Sequence, residues 1–225
     1  MRTEEKTDQD IELSMLKILF LEPFYGGSHR EFADGLASHS RHDVTLVTLP
    51  ARFWKWRMRG AALWFLETVK DMADYDLIFS SGLLSLCDLK ALSPAPLPPL
   101  AVYFHESQLS YPLAPGEKLD YQFGFTDITS GFAADAIVFN SHYHYTQFFS
   151  ELPRFIRHMP DFRPTRVTGQ LKEKSRVIYP GCELSKLGPS GEPLTDLPPF
   201  ILWNHRWEFD KNPESFFRVL AALDD

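Results

Sequence analysis

From Leu16 onward, short apolar runs alternate with longer stretches in which apolar residues recur at helical spacing. The runs predict strands at Lys17–Leu21, Val44–Thr48, Leu77–Ser80, Leu100–Phe104, Ala136–Phe139 and Arg176–Tyr179. The helical stretches lie at His29–Ala37, Ala61–Val69, Tyr121–Ala134 and His142–Glu151, the last with Asn140 and Ser141 placed to cap it. Strands that are apolar on both faces and separated by helices predict a doubly wound parallel α/β sheet covered on both sides. Ahead of it, residues 1–14 are charged and read as a flexible leader. Residues 15–183 form a first domain, the Pro- and Gly-rich 184–199 a linker, and 200–225 the start of a second domain. That last segment reads as a strand, a loop with Arg206 and Lys211, and a helix opened by Asn212 and Pro213.

Composition narrows the function. An apolar content of 44% in 225 residues supplies a core, and no run reaches the length of a membrane span. The net charge of -7 argues against non-specific coating of nucleic acid, although the charge is uneven. Residues 154–176 carry seven Lys or Arg against Asp161 and Glu173. Two cysteines, Cys87 and Cys182, make neither a disulfide framework nor a metal-site spacing, so two reduced thiols in a cytoplasmic protein are expected.

Three peptides carry candidate chemistry. Glu22-Pro-Phe-Tyr-Gly-Gly-Ser-His29 follows the first strand, with Ser28 and Glu31 spaced as a capping box. Gly26 and Gly27 either let backbone approach a phosphate or sugar, or serve a tight turn that needs positive φ. The full dinucleotide fingerprint is missing, which disfavours a nicotinamide enzyme. Phe104-His105-Glu106-Ser-Gln108-Leu-Ser-Tyr111-Pro112 stands at the carboxyl end of a strand, where α/β sheets bind ligands, and makes His105 and Glu106 candidate contacts. Asn140 and Ser141 end another strand and read equally as cap or ligand contact. Pro50-Ala-Arg-Phe-Trp-Lys-Trp-Arg-Met-Arg59 interleaves Arg52, Lys55, Arg57 and Arg59 with Phe53, Trp54 and Trp56. Such a mixture suits phosphates and unpaired bases, or else a helix whose rings enter the core. In the last segment Arg206 and Lys211 could hold a diphosphate, or pair with Glu208 and Asp210.

Taken together, these peptides resemble the tRNA-queuosine α-mannosyltransferase family of retaining GT-B glycosyltransferases. The likeness rests on Glu22 to His29, Leu49 to Arg52, Trp54 to Arg57, Tyr103 to Glu106 with Gln108, Tyr111 and Pro112, Val138 to Ser141, Tyr179 to Glu183, and Trp203 to Phe217. The resemblance implies the Rossmann-like N-terminal half of a GT-B enzyme and transfer of mannose from GDP-mannose to queuosine in tRNA-Asp, without a metal. Neither DNA nor a membrane is an implied partner. It further implies His105 at the reacting centre and Gly26, Gly27, Arg206 and Lys211 toward the donor. Ser28, His29, Glu106, Gln108, Tyr111, Asn140 and Ser141 would face the acceptor. Arg52, Trp54, Lys55, Trp56, Arg57 and Arg59 would touch tRNA. The acidic donor-binding motif of that class has no counterpart before Asp225, so the chain by itself is expected to be inactive or very weak.

Overall fold

The computed structural model describes residues 15–186, 188 and 200–223. Both the expected leader and most of the expected linker lie outside them. Among the described residues, six strands form one all-parallel sheet in the order β2-β1-β3-β4-β5-β6. In chain order these are β1 (Lys17–Tyr25), β2 (Asp43–Pro50), β3 (Leu77–Ser81), β4 (Leu100–Phe104), β5 (Ala136–Phe139) and β6 (Ser175–Val177). The doubly wound α/β fold is therefore present. Central strands are apolar on both faces because helices cover both: Leu19, Phe20 and Leu21 of β1 and all five residues of β4 are buried. The edge strands differ, β2 being half-exposed and β6 only three residues long.

The connecting helices are α1 (Gly27–His39), α2 (Trp54–Thr68), α3 (Leu86–Leu92), α4 (Tyr121–Ala133), α5 (His142–Arg157) and α6 (Val167–Glu173). Beyond the gap in description stands α7 (Pro213–Ala221). Several sequence expectations are corrected. The second helix begins at Trp54, seven residues before the expected Ala61, because the basic peptide already follows a helical pattern: Met58, Ala61, Ala62 and Phe65 are its buried positions. The short helices α3 and α6 were not expected. The fifth helix runs through Pro153 to Arg157, since Leu152, Phe155 and Ile156 are buried in the core and hold its final turns. The capping box at Ser28 does not form: Gly26 occupies the cap and Ser28 lies exposed inside α1. Residues 200–204 adopt no strand, since no described strand pairs with them.

Candidate functional site

In this strand order the chain reverses direction of winding between β1 and β3, so the crevice outside their carboxyl ends is the expected ligand site. Glu22 is fully buried at the end of β1, where the register with β2 shifts before Tyr25. A carboxylate inside a strand needs hydrogen-bond donors, and three converge on it. The Phe24 N–H donates at 2.8 Å and the Ser81 hydroxyl, from the end of β3, at 3.0 Å. His29 Nδ1 approaches at 3.2 Å. Gly27, the first residue of α1, has φ of +53°, which makes the turn that delivers His29 back onto the strand end. Gly26 has an extended backbone, and a Cβ there would lie 2.5 Å from that of Ala51, so its missing side chain permits close packing of the next loop.

The second nitrogen of His29 faces Glu106 Oε2 at 3.6 Å, and its ring stacks on His105 with centroids 4.0 Å apart. Burial works against a charge on His29, yet hydrogen bonding to Glu106 and Glu22, with their negative charge, outweighs it and raises the imidazole to about 9. His105 goes the other way. Burial, then the adjacent His29 cation and His144, push it down to about 3. The two stacked rings are thus an imidazolium and a neutral imidazole at neutral pH. His105 Nε2 is buried without a hydrogen-bond partner.

The cavity beside this pair is lined by His29, Gly82, Leu83, His105, Glu106, Gln108 and Asp127, and its volume of about 10 Å³ suits a single small group rather than a whole sugar. Asp127 of α4 accepts from the Ser107 hydroxyl at 3.0 Å and the Gln108 N–H at 2.8 Å, so it pins the loop after β4. Complete burial raises its carboxyl to about 7, against the opposing pull of those hydrogen bonds.

His29, His105, Glu106 and Gln108 therefore meet as a group, but His29 is buried with both nitrogens engaged rather than offered to a ligand. Ser28 is exposed outside the cavity lining. Asn140 donates to the His105 carbonyl at 2.7 Å and accepts from Ser141 at 3.1 Å, while Ser141 caps α5 by accepting from the His144 N–H. Ser141 thus supplies the cap, while Asn140 ties the end of β5 to the loop after β4 through the His105 carbonyl. The consequence for the site is to fix the backbone of His105.

Tyr111 is partly exposed, and burial followed by the charges of Asp210 and Glu106 raises its hydroxyl, with Lys211 and Arg206 opposing. The loop of Arg206 and Lys211 is thus close enough to act on Tyr111. Both cations are paired, Arg206 with Glu208 at 2.9 Å and Lys211 with Asp210 at 2.7 Å. The basic-aromatic peptide divides: Trp54 packs on Phe123, whereas Arg52, Lys55, Trp56 and Arg59 are exposed and Arg57 is half-buried.

Sequence reading assigned no role to Glu22, Ser81, Ser107 or Asp127. Only Glu22 carried a signal, as a lone carboxylate closing an otherwise apolar run. Nor was a metal-ligand cluster visible in the sequence, yet Glu22, His29 and His105 bring potential ligand atoms within 4.8 Å of one another. The donor set fits a metal poorly, because the two nitrogens of His29 face Glu22 and Glu106 on opposite sides and its ring lies face to face with His105, centroids 4.0 Å apart.

The all-parallel sheet with helices on both faces, its winding reversed between β1 and β3, defines a Rossmann-like α/β domain. Residues 17–182 match the family model described as tRNA-queuosine alpha-mannosyltransferase N-terminal. A Drosophila melanogaster protein named tRNA-queuosine alpha-mannosyltransferase is 35% identical over 222 residues, an alignment covering 92% of this chain and 58% of that protein. The chain belongs to the tRNA-queuosine alpha-mannosyltransferase family and contains its N-terminal domain. It spans somewhat more than half the length of that relative.

Proposed function

We propose that this chain supplies the acceptor side of a retaining mannosyltransferase that moves mannose from GDP-mannose onto the cyclopentene-diol of queuosine in tRNA-Asp. The observation that carries the reading is the neutral His105 at the switch-point crevice, its ring backed by the His29 cation and its Nε2 buried without a partner. A neutral imidazole can exchange hydrogen bonds with a sugar hydroxyl, where an imidazolium could only donate. In the reaction the bond from the mannose anomeric carbon to the GDP oxygen breaks, and a bond to a queuosine hydroxyl oxygen forms. The hydroxyl proton leaves with the departing diphosphate or to solvent.

Gly26 and Gly27 are assigned to close approach by the donor, and Arg206 with Lys211 to the charge that develops on GDP, which requires them to loosen their pairs with Glu208 and Asp210. Glu106, Gln108 and Tyr111 are assigned to the acceptor, with Ser28 at its edge. His29, Asn140 and Ser141 take positioning roles in this reading, through His105. Metal-free transfer is part of the proposal, in keeping with the poor fit of the Glu22, His29 and His105 cluster to a cation. So is a cytoplasmic setting, which accords with two free, exposed thiols. No described helix is long and apolar enough to cross a membrane.

Titrating the chain with tRNA-Asp that carries or lacks queuosine, in the presence and absence of GDP-mannose, tests the assignment. Preference for the modified tRNA, weakened by His105→Ala, is expected. Equal affinity for the two tRNAs, unaffected by that substitution, would overturn the acceptor assignment.

A further inference from the structure

The exposed side of α2 combines a strained backbone position with exposed rings and cations. Phe53, at its N-cap, has φ of +56°, a sterically costly conformation for a residue with a Cβ, and its ring is 69% exposed. No burial of that ring compensates for the backbone conformation. Trp56, in the first turn of α2, is 79% exposed. The Arg52 guanidinium lies 5.9 Å over the Phe53 ring. From Ala51 to Leu66 the chain carries Arg52, Lys55, Arg57 and Arg59 and no carboxylate, within a protein of net charge -7.

This surface borders the crevice. Tyr25 is in register with Pro50, and Gly26 packs against Ala51, so α2 starts beside the glycine turn. Trp54 and Phe24 pack against Met58, Leu83 and Phe123, and Leu83 itself lines the cavity. Phe24 and Trp54 thus tie the start of α2 to the cavity wall, while Phe53 and Trp56 are exposed to solvent.

From this placement we infer that the outer face of α2 binds the unpaired nucleotides flanking the acceptor nucleoside. Phe53 and Trp56 stack on bases and Arg52 holds phosphate, whereas Lys55 lies 5.4 Å over the inward Trp54 ring and Arg59 donates to Thr126 at 3.5 Å. The inference rests on the reading that the acceptor is an RNA, and it deepens that reading in two ways. Phe53 joins the surface, and Trp54 leaves it for the wall. Two exposed rings among cations suit single strands, whose bases offer a π-face, better than duplex, whose bases are already stacked.

The test uses a stem-loop RNA with a seven-nucleotide loop, with and without queuosine in the loop, and the full 225-residue chain. Trp56→Ala is expected to weaken binding of both RNAs about tenfold, as loss of one base–aromatic stack does. Phe53→Gly removes the ring and the strained φ together, so it should weaken binding without lowering the melting temperature. Arg52→Ala should reduce the slope of log affinity against log salt by about 0.7, the value for one phosphate contact on a single strand. The ratio of affinities for modified and unmodified loop is expected to survive all three changes. Wild-type affinity in the Trp56 and Phe53 variants would overturn the inference and leave a queuosine preference intact. Loss of that preference in the wild type, with the variants still weakened, would instead count against the acceptor reading alone. A blunt-ended RNA duplex bound as well as the loop, tighter binding to phosphatidylserine vesicles than to either RNA, or no binding of either stem-loop would also overturn the inference.

Discussion

Replacing Glu22 by Gln tests whether the buried His29 is the cation on which the crevice depends. Gln keeps the size and an acceptor for Phe24 and Ser81, but removes one of the two carboxylates that hold His29. His29 rises from 6.5 to about 9 on folding, and at about 1.4 kcal/mol per unit this is on the order of 3 kcal/mol of stability. Its side chain is only 8% exposed, so solvent screening removes little of that figure. Because the folded pKa is the higher one, the contribution is fully present below about 6.5 and is lost as pH rises through 9. Urea unfolding of the wild type should therefore show stability falling by roughly 1.4 kcal/mol per pH unit between pH 7 and 9, the slope of one proton. With two carboxylates sharing the task, Glu22→Gln should cost about 1–2 kcal/mol at pH 6.5 and shift the fall to lower pH. The two proteins should converge above pH 9, where His29 is neutral in both. Titration of the His29 ring by NMR reads the same quantity directly. Parallel stability curves for the two proteins, or a His29 ring that titrates near 6.5 in the wild type, would refute the reasoning.

Two further outcomes follow from packing and charge. Asp127→Asn removes a buried carboxyl whose pKa rises from 3.8 to about 7, so the folded protein binds the extra proton and wild-type stability should grow, relative to the variant, as pH falls from 7 to 4. That difference should approach 4 kcal/mol at most, and a pH-independent difference in chemical denaturation would contradict the raised carboxyl. Gly124→Ala would place a Cβ 2.5 Å from the Phe155 ring and 3.1 Å from Leu109, and overpacking of this kind should cost about 1–3 kcal/mol by thermal or urea unfolding. No loss of stability would show that α4 can shift away from α5.

The sheet was legible because its information is local. Runs such as Ile18 to Leu21 and Ala101 to Phe104 are apolar at every position, and their shortness between turn residues suits a strand covered on both faces rather than a buried helix. The basic peptide of α2 was harder to place, because its cations hid the buried positions Met58, Ala61, Ala62 and Phe65. Pro153 signalled an end to α5 that burial of Phe155 and Ile156 overrides. The apolar segment after residue 199 reads as a strand by composition alone, yet pairing is a property of a sheet and not of a segment.

The alternation of strands and helices, the two glycines of the first turn and the place of His105 after a strand can be read along the chain. Those features depend on neighbours within a few residues. Which of these residues meet, and in what charge state, depends on the fold. Strand order placed the ends of β1, β3 and β4 side by side, so that Glu22, Ser81, His29, His105 and Glu106, scattered over 85 positions, met in one cluster. In that cluster a histidine expected at the ligand became a buried cation and its neighbour a neutral imidazole. Charge in a protein interior is set by distance and desolvation, and neither is written along the chain.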